Sequence, residues 1–184
     1  MNERELTGYP SIDKPWQQYY SEEALRAPLP ACTVWKNIYE RNKAHPGDTA
    51  LLYFGKKISY GKLFSEVDRT ARALAHLGVK NGDNAAVCMP AVPEAIYTIL
   101  ALNKLGANAG MLNPTFSEAQ LTDRVNEMEA DVLLAVNELY PVVQNVIPKT
   151  AVKHVVTCPA VNSLGAFARL AKKAKPIPGT ISWN

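Results

Sequence analysis

The chain contains 184 residues, of which 47% are apolar and 20% charged, and it carries a formal net charge of +3. This composition is typical of a globular domain and excludes a disordered chain. The positive charge is too small and too dispersed for a nucleic-acid-binding face, which requires clustered basic residues. The longest strongly apolar run, residues 95–102, is far shorter than the roughly 20 residues that span a bilayer.

The three cysteines, Cys32, Cys88 and Cys158, lie far apart and form no Cys-x-x-Cys pair. The pattern predicts neither a disulfide framework nor a zinc site. Cys88 lies in an apolar run, so we expect a small buried residue rather than a nucleophile. Residues 1–10 contain no apolar stretch that would predict a signal peptide. Together these features favour a cytoplasmic protein.

Residues 1–32 are rich in proline and aromatic residues and show no regular period. They predict an irregular N-terminal arm with one short helix near residues 21–26. The aromatic residues indicate that the arm packs against another surface.

From Thr33 the pattern becomes regular. Thr33 is a suitable N-cap for a helix that ends at His45-Pro46-Gly47-Asp48. Residues 49–54 and 57–60 flank Gly55-Lys56 and predict a β-hairpin. A helix over residues 61–77 follows, with its apolar residues on one face and Gly78 after its end.

The remaining chain alternates strands with helices. The predicted strands cover residues 85–89, 108–112, 131–136 and 153–158. A helix begins at Pro93 and ends at Gly106, and a capping box of Ser117 and Gln120 opens another that runs to about residue 128. Further helices are predicted over residues 138–146 and 163–174.

This alternation, with several short and continuously apolar strands, predicts an α/β fold of three layers, αβα, around a largely parallel sheet. The α/β part covers residues 33–175. The arm, residues 1–32, precedes it, and residues 176–184 are interpreted as a connector because they contain Pro176, Pro178 and Gly179.

Motifs that carry chemistry are missing from the sequence. It contains no GxGxxG or GxxxxGK[ST] loop, no Ser/Thr/Gly-rich run ending in lysine, no HExxH and no nucleophile elbow. Phosphates require a cluster of free backbone N–H groups and a cation. The main lysine cluster, Lys172, Lys173 and Lys175, is interpreted as a solvated helix end.

The three histidines are isolated. His76 is expected on the polar side of its helix, and His45 and His154 are interpreted as structural residues at the ends of elements. Glu127, Glu129 and Asp131 span a helix end and a strand start, so they are not expected to converge on a metal ion. The sequence therefore predicts no catalytic, cofactor-binding or metal-ligating residue.

Two segments that are structural by their residues alone nevertheless resemble a known family. Residues 58–63 (Ile-Ser-Tyr-Gly-Lys-Leu) are similar to the early [T/S]-Y-x-x-L motif of the adenylate-forming ligases, which include acyl-CoA synthetases. Residues 102–114 resemble the crossover in which Leu-Gly-Ala leads to a strand ending in Asn-Pro. Weaker likenesses lie at residues 77–83, 114–121 and 130–134.

The ordered set of likenesses runs from about residue 33 to residue 156. One departure is Ala91, where family members often carry Asn. The arm, with Pro15-Trp16 and Tyr19-Tyr20, looks most like the fatty-acyl-CoA ligase branch. The expected fold is therefore an incomplete part of the large N-terminal domain of an adenylate-forming ligase.

The resemblance implies a parent enzyme that joins a carboxylic (fatty) acid to ATP and then to coenzyme A, with Mg²⁺ neutralising the phosphates. The family's phosphate loop, its adenine and ribose motifs and its catalytic lysine all come later and match no residue here. We therefore expect an N-terminal fragment that is inactive by itself, holds none of these cofactors and has the remainder of the parent chain as its partner.

Two alternatives remain open. The chain could be a naturally short, non-catalytic binding or scaffold module of the same fold. It could also be a small nucleotide-binding α/β enzyme unrelated to ligases, although the missing phosphate loop argues against this. The connector-like residues 176–179 and the absence of a polar tail after Ile181 favour the fragment.

A fragment should expose apolar surface that other parts of the parent cover, so we expect this chain to bind a hydrophobic dye and to self-associate. Dye fluorescence and light scattering over a concentration series measure both effects. A clean monomer at high concentration, with no dye binding, would contradict the expectation.

Overall fold

The computed structural model describes residues 6–164 and 177–183. The chain divides into two compact units, Met1–Ala31 and Cys32–Asn184. Among the described residues, no helix has the length and apolarity required to cross a membrane.

The first unit consists of short elements, which are α1 (Pro10–Asp13), a 3₁₀ turn (Pro15–Tyr19) and α2 (Glu22–Arg26). The side chain of Ser21 caps α2 by accepting a hydrogen bond from the Ala24 backbone N–H, which confirms the predicted short helix. None of its described residues is buried.

The second unit opens with α3 (Val34–Asn42), capped by the Thr33 hydroxyl as predicted. Strands β1 (Thr49–Tyr53) and β2 (Lys56–Ser59) then form an antiparallel hairpin. Its two turn residues, Phe54 and Gly55, both have positive φ, because a turn of this kind matches the right-handed twist of the paired strands.

A five-stranded sheet forms the centre of the unit, and each neighbouring pair of its strands is parallel. Its order is β4-β3-β5-β6-β7. The strands are β3 (Asn84–Cys88), β4 (Asn108–Met111), β5 (Val132–Val136), β6 (His154–Cys158) and β7 (Ile181–Ser182). The predicted parallel sheet is confirmed.

Helices cover both faces of this sheet. One core contains residues of α4 (Tyr60–His76) and α5 (Pro93–Leu105), and the other contains residues of α6 (Glu118–Glu127) and α7 (Tyr140–Val146). Successive strand residues alternate between the cores, with Leu134 in the first and Leu133 in the second. The predicted three-layer architecture follows from this alternation.

The structure differs from the prediction at the end of the chain. Residues 176–184 were interpreted as a connector, but Ile181 and Ser182 pair with Val156 and Thr157 at the edge of the sheet. A strand of two residues has no period that the sequence could show. Most of the predicted helix over residues 163–174 lies outside the described residues, and its first two residues, Ser163 and Leu164, belong to a turn. Lysines 172, 173 and 175 lie wholly outside the described residues.

Gly106 ends α5 in the left-handed conformation, with φ of 76°, and a Cβ there would lie 2.2 Å from Asn81 Oδ1. We expect Gly106→Ala to lower the free energy of unfolding by about 1–2 kcal/mol, the cost of placing an L side chain in this conformation. Urea unfolding measures the change.

Gly47 supplies a matched control, because its φ lies outside the left-handed range and nothing lies within 4 Å of an added Cβ. Gly47→Ala should change the free energy of unfolding far less than Gly106→Ala. Equal effects of the two substitutions would contradict the argument.

Candidate functional site

The carboxyl edge of the sheet is the expected position of a ligand site. The chain leaves β3 for β4 on one side and then crosses to β5 on the other side. In open α/β sheets, ligands bind outside the carboxyl ends of the strands at such a switch point. The segments that follow β3, β5, β6 and β7 therefore decide what this edge can do.

Glu94 is the central side chain of this edge. It lies in the first turn of α5, after Pro93, and is only 1% exposed. Its Oε1 accepts hydrogen bonds from Asn162 Nδ2 at 2.8 Å and from Ser163 Oγ at 2.6 Å. A carboxylate at a helix N-terminus is stabilised by the helix dipole, which offsets part of the cost of burying its charge.

Three buried side-chain atoms lack a hydrogen-bond partner among the described residues. They are Glu94 Oε2, Asn137 Oδ1 and Trp183 Nε1. Each belongs to a segment that follows the carboxyl end of a strand, after β3, β5 and β7 respectively. Since buried polar groups are normally paired, this edge has hydrogen-bonding capacity that the described residues do not use.

Glu94 and Trp183 line a polar cleft of about 420 Å³, together with basic residues of β2 and α4. Lys56 Nζ donates to the backbone oxygen of Ser163 at 3.0 Å. The hairpin, the N-terminus of α5 and the loop after β6 therefore meet in one hydrogen-bonded cluster.

Glu66 lies on the α4 side of this cleft. Its carboxylate pairs with Lys62 at 2.6 Å and with Arg69 at 2.7 Å. Burial raises the pKa of Glu66, but the hydrogen bonds and charges of Lys62 and Arg69 outweigh burial and hold this pKa below its ordinary value.

The nucleophilic side chains near the edge are kept protonated. Burial raises the pKa of the Cys88 thiol to about 11, and burial followed by the charges of Glu94 and Glu138 raises that of Cys158 further. Burial and the Glu94 charge raise the pKa of Tyr97 to about 12. Neither thiol becomes a thiolate near neutral pH, and the prediction that Cys88 is buried is confirmed.

The structure does not bring the histidines together at this edge. His76 is exposed near the end of α4, as predicted, His45 is exposed in the turn before β1, and His154 opens β6. Glu127 pairs with Arg124, and Asp131 pairs with Lys153. No group of three or more potential metal ligands occurs within residues 6–164 and 177–183.

Sequence reasoning missed the cluster around Glu94. The residue was visible as a favourable charge in the first turn of a helix, but its partners Asn162 and Ser163 lie 68 and 69 residues further along the chain. No local pattern relates positions so far apart. Chemically, the cluster offers hydrogen-bonding groups that hold the loop after β6 against the N-terminus of α5.

The depressed pKa of Glu66 has a consequence for stability. Its ion pairs stabilise the fold above the ordinary pKa of a glutamate and are lost as the pH falls through the lower, folded pKa. We expect Glu66→Gln to destabilise the protein by about 1 kcal/mol at pH 7, with a much smaller difference from the parent at pH 3. Urea unfolding at both pH values measures this.

Glu127→Gln is the matched control, because Glu127 also pairs with an arginine three residues away but is exposed. Its effect should stay within about 0.5 kcal/mol at pH 7. A loss in Glu66→Gln that does not depend on pH would contradict the assigned ion pairs.

Comparison with known proteins gives three further findings. Residues 38–179 match the model of a family described as AMP-binding enzyme. Acetyl-coenzyme A synthetase 1 of Candida albicans is 33% identical over 147 residues, which are 76% of this chain and 22% of the relative. Acetyl-coenzyme A synthetase 2 of Pseudomonas putida is 33% identical over 161 residues, 80% of this chain and 23% of the relative.

Solved structures show the same fold. An anthranilate CoA ligase in complex with anthranoyl-AMP covers 84% of this chain with a TM-score of 0.71 and 21% identity, and the match is 27% of that ligase. Acetoacetyl-CoA synthetase from Streptomyces lividans covers 82% with a TM-score of 0.71 and 20% identity, and the match is 24% of that chain.

The chain thus spans about a fifth to a quarter of the length of these proteins. The family model covers most of it, and the α/β fold with a parallel sheet is that of the N-terminal domain of the adenylate-forming ligases. This chain belongs to the AMP-binding enzyme family, within the acyl-CoA synthetase and ligase superfamily.

Proposed function

We propose that this chain forms part of the N-terminal domain of an ATP-dependent acyl-CoA synthetase. Such an enzyme joins a carboxylate to ATP, which forms an acyl-adenylate and releases pyrophosphate. It then transfers the acyl group to the thiol of coenzyme A and releases AMP. The observation that carries the proposal is the family match over residues 38–179.

A short carboxylate is the substrate that we propose for the whole enzyme. The arm of the sequence favoured the fatty-acyl branch, whereas the two sequence relatives described above are acetyl-coenzyme A synthetases. Their identity of 33% carries more weight than an irregular arm. The likeness to ligases of anthranilate and acetoacetate, at 20–21% identity, supports the fold but does not choose a substrate.

The described residues do not fit a phosphate group. The N-terminus of α5, at the switch point of the sheet, carries the buried Glu94 carboxylate, which would repel a phosphate. The N-termini of α4 and α6 are capped by their own serines, Ser59 and Ser117. ATP and Mg²⁺ are therefore proposed to bind parts of the enzyme outside this chain, and no catalytic step is assigned to a residue here.

The proposed role of this chain is structural, and by itself it is proposed to be inactive. It supplies one parallel sheet with a helical layer on each face. A reducing, cytoplasmic setting is part of the proposal. It is supported by the three cysteines, which are free, with Cys88 and Cys158 buried.

A non-catalytic binding module of the same fold is the second candidate. The polar cleft between β2, α4 and α5 favours it, because this cleft is lined by described residues and contains polar groups suited to binding rather than to catalysis.

The first experiment isolates the native protein from its source cells with an antibody raised against this chain and measures its mass. We expect a protein much heavier than 20.2 kDa. ATP–pyrophosphate exchange on that product, with carboxylates from acetate to palmitate, should be fastest with acetate or propionate.

The chain expressed alone is the control and should show no exchange. A native protein of 20.2 kDa that shows no ATP–pyrophosphate exchange would overturn the proposal in favour of the binding module. A heavier product that activates no carboxylate would also overturn it, and one that prefers palmitate would overturn the proposed substrate class.

A further inference from the structure

The turn before β3 contains the one Asn-Gly dipeptide of the sequence, Asn81-Gly82. Both residues are exposed, and Gly82 has a φ of 88°. In an unstructured chain, asparagine deamidates most readily when glycine follows it, because glycine has no side chain to hinder attack by its backbone nitrogen on the neighbouring carboxamide. The tertiary structure therefore decides whether Asn81 can react in the folded protein.

The backbone nitrogen of Gly82 is engaged in the fold. Its N–H donates to the backbone oxygen of Gly106 at 2.9 Å. Lys80 N–H donates to Asp83 Oδ2 at 3.0 Å, and Asn108 N–H donates to the Asp83 backbone oxygen at 2.8 Å, so the whole turn is tied down. The Gly82 nitrogen must lose its proton before it can attack, and a hydrogen-bonded amide gives up its proton to water only when the bond opens.

The carboxamide of Asn81 packs against the same partner. A Cβ added to Gly106 would lie 2.2 Å from Asn81 Oδ1 and 3.1 Å from Asn81 Cγ. The carboxamide therefore lies on the bare backbone of Gly106, in space that a larger residue would fill. Because the Gly106 oxygen also accepts the Gly82 N–H, this one residue at the end of α5 restrains both reacting groups.

We propose that Asn81 is a modification site that the fold keeps unreactive through Gly106. When the contact opens, Gly82 N attacks Asn81 Cγ. The proton of the Gly82 nitrogen passes through water to Asn81 Nδ2, which leaves as ammonia. A water molecule then opens the resulting succinimide ring at either of its two carbonyls, and the products are aspartate and isoaspartate at position 81.

Isoaspartate keeps the contact open once it has formed. It places an additional methylene in the main chain between positions 81 and 82, so the Gly82 N–H no longer lies in register with the Gly106 oxygen. The new carboxylate also lies two residues from that of Asp83, and like charges at short range repel each other. This modification needs only water, so a negative result would leave the proposed function untouched.

The experiment incubates this chain at mildly alkaline pH and measures deamidation at position 81 by peptide mass spectrometry, with isoaspartate counted by enzymatic methylation. Circular dichroism shows that the chain is folded, and the reference is an unstructured peptide of residues 78–85. We expect Asn81 to react about tenfold more slowly in the folded chain than in the peptide, because the hydrogen-bonded turn must first open. Equal rates would overturn the proposal.

Matched variants test whether Gly106 restrains Asn81. Gly106→Ala places a methyl group against the carboxamide and should raise the rate about fivefold. Gly47→Ala, where nothing lies within 4 Å of the added Cβ, should change it by less than about twofold. Equal rates in the two variants, or a signal that persists in Asn81→Ser, would overturn the assignment.

Glu66→Gln separates local opening from global unfolding, because it removes ion pairs within α4 that do not involve this turn. It should lower the free energy of unfolding and yet raise the rate at Asn81 by less than about twofold. If the rates in Gly106→Ala and Glu66→Gln rise only in proportion to their unfolded populations, the reaction requires global unfolding and the proposal is overturned.

Hydrogen exchange tests the effect of the modification. The isoaspartate form, separated by ion exchange, should lose about tenfold of its protection at the Gly82 amide, while the amides of β5 remain as protected as in the parent. Unchanged protection at Gly82 would overturn the proposed loss of the contact.

Discussion

The fold depends on the burial of β3 and β5 from both sides. Each has a parallel neighbour on both edges, and their residues from Ala85 to Cys88 and from Val132 to Val136 are at most 3% exposed. Parallel strands cannot be joined by a tight turn, so each connection must be a crossover. The crossover helices cover the two faces, and alternate strand residues enter two separate cores.

This arrangement brings chemically useful side chains to one edge of the sheet. The loops after the strands meet there because parallel strands share the direction of their carboxyl ends. Glu94 then links α5 to the loop after β6, and Lys56 links the hairpin to the same loop. The buried carboxylate of Glu94 lies at the N-terminus of α5. These hydrogen bonds hold the hairpin, α5 and the loop after β6 together at this edge.

Helix α4 connects the polar and apolar parts of this surface. Glu66, Arg69 and Ala73 follow one another at intervals of three and four residues and so lie along one stripe of the helix. Glu66 and Arg69 line the polar cleft, and Ala73 lines an apolar groove of about 250 Å³ one turn further on. The change from charged to apolar surface is thus encoded along a single helix, while β7 and Trp183 complete the opposite wall.

Much of the architecture could be predicted from the sequence because it depends on local interactions. Three such features are each decided within a few residues. They are the positive φ of Gly78 and Gly106, the capping box of Ser117 and Gln120, and the continuous apolar run of β5. Their order also predicted the parallel sheet, since alternating strands and helices can bury both strand faces in only a few ways.

Only the tertiary structure decided the rest. Three contacts join residues that are far apart in the chain. Ile181 pairs with Val156, Asn162 and Ser163 donate hydrogen bonds to Glu94, and Arg69 and Trp183 line the same cavity. A two-residue edge strand has no period of its own, and a glutamate in a first turn looks alike whether it is solvated or buried. Such contacts are set by how the packed layers bring distant segments together, which local propensity does not specify.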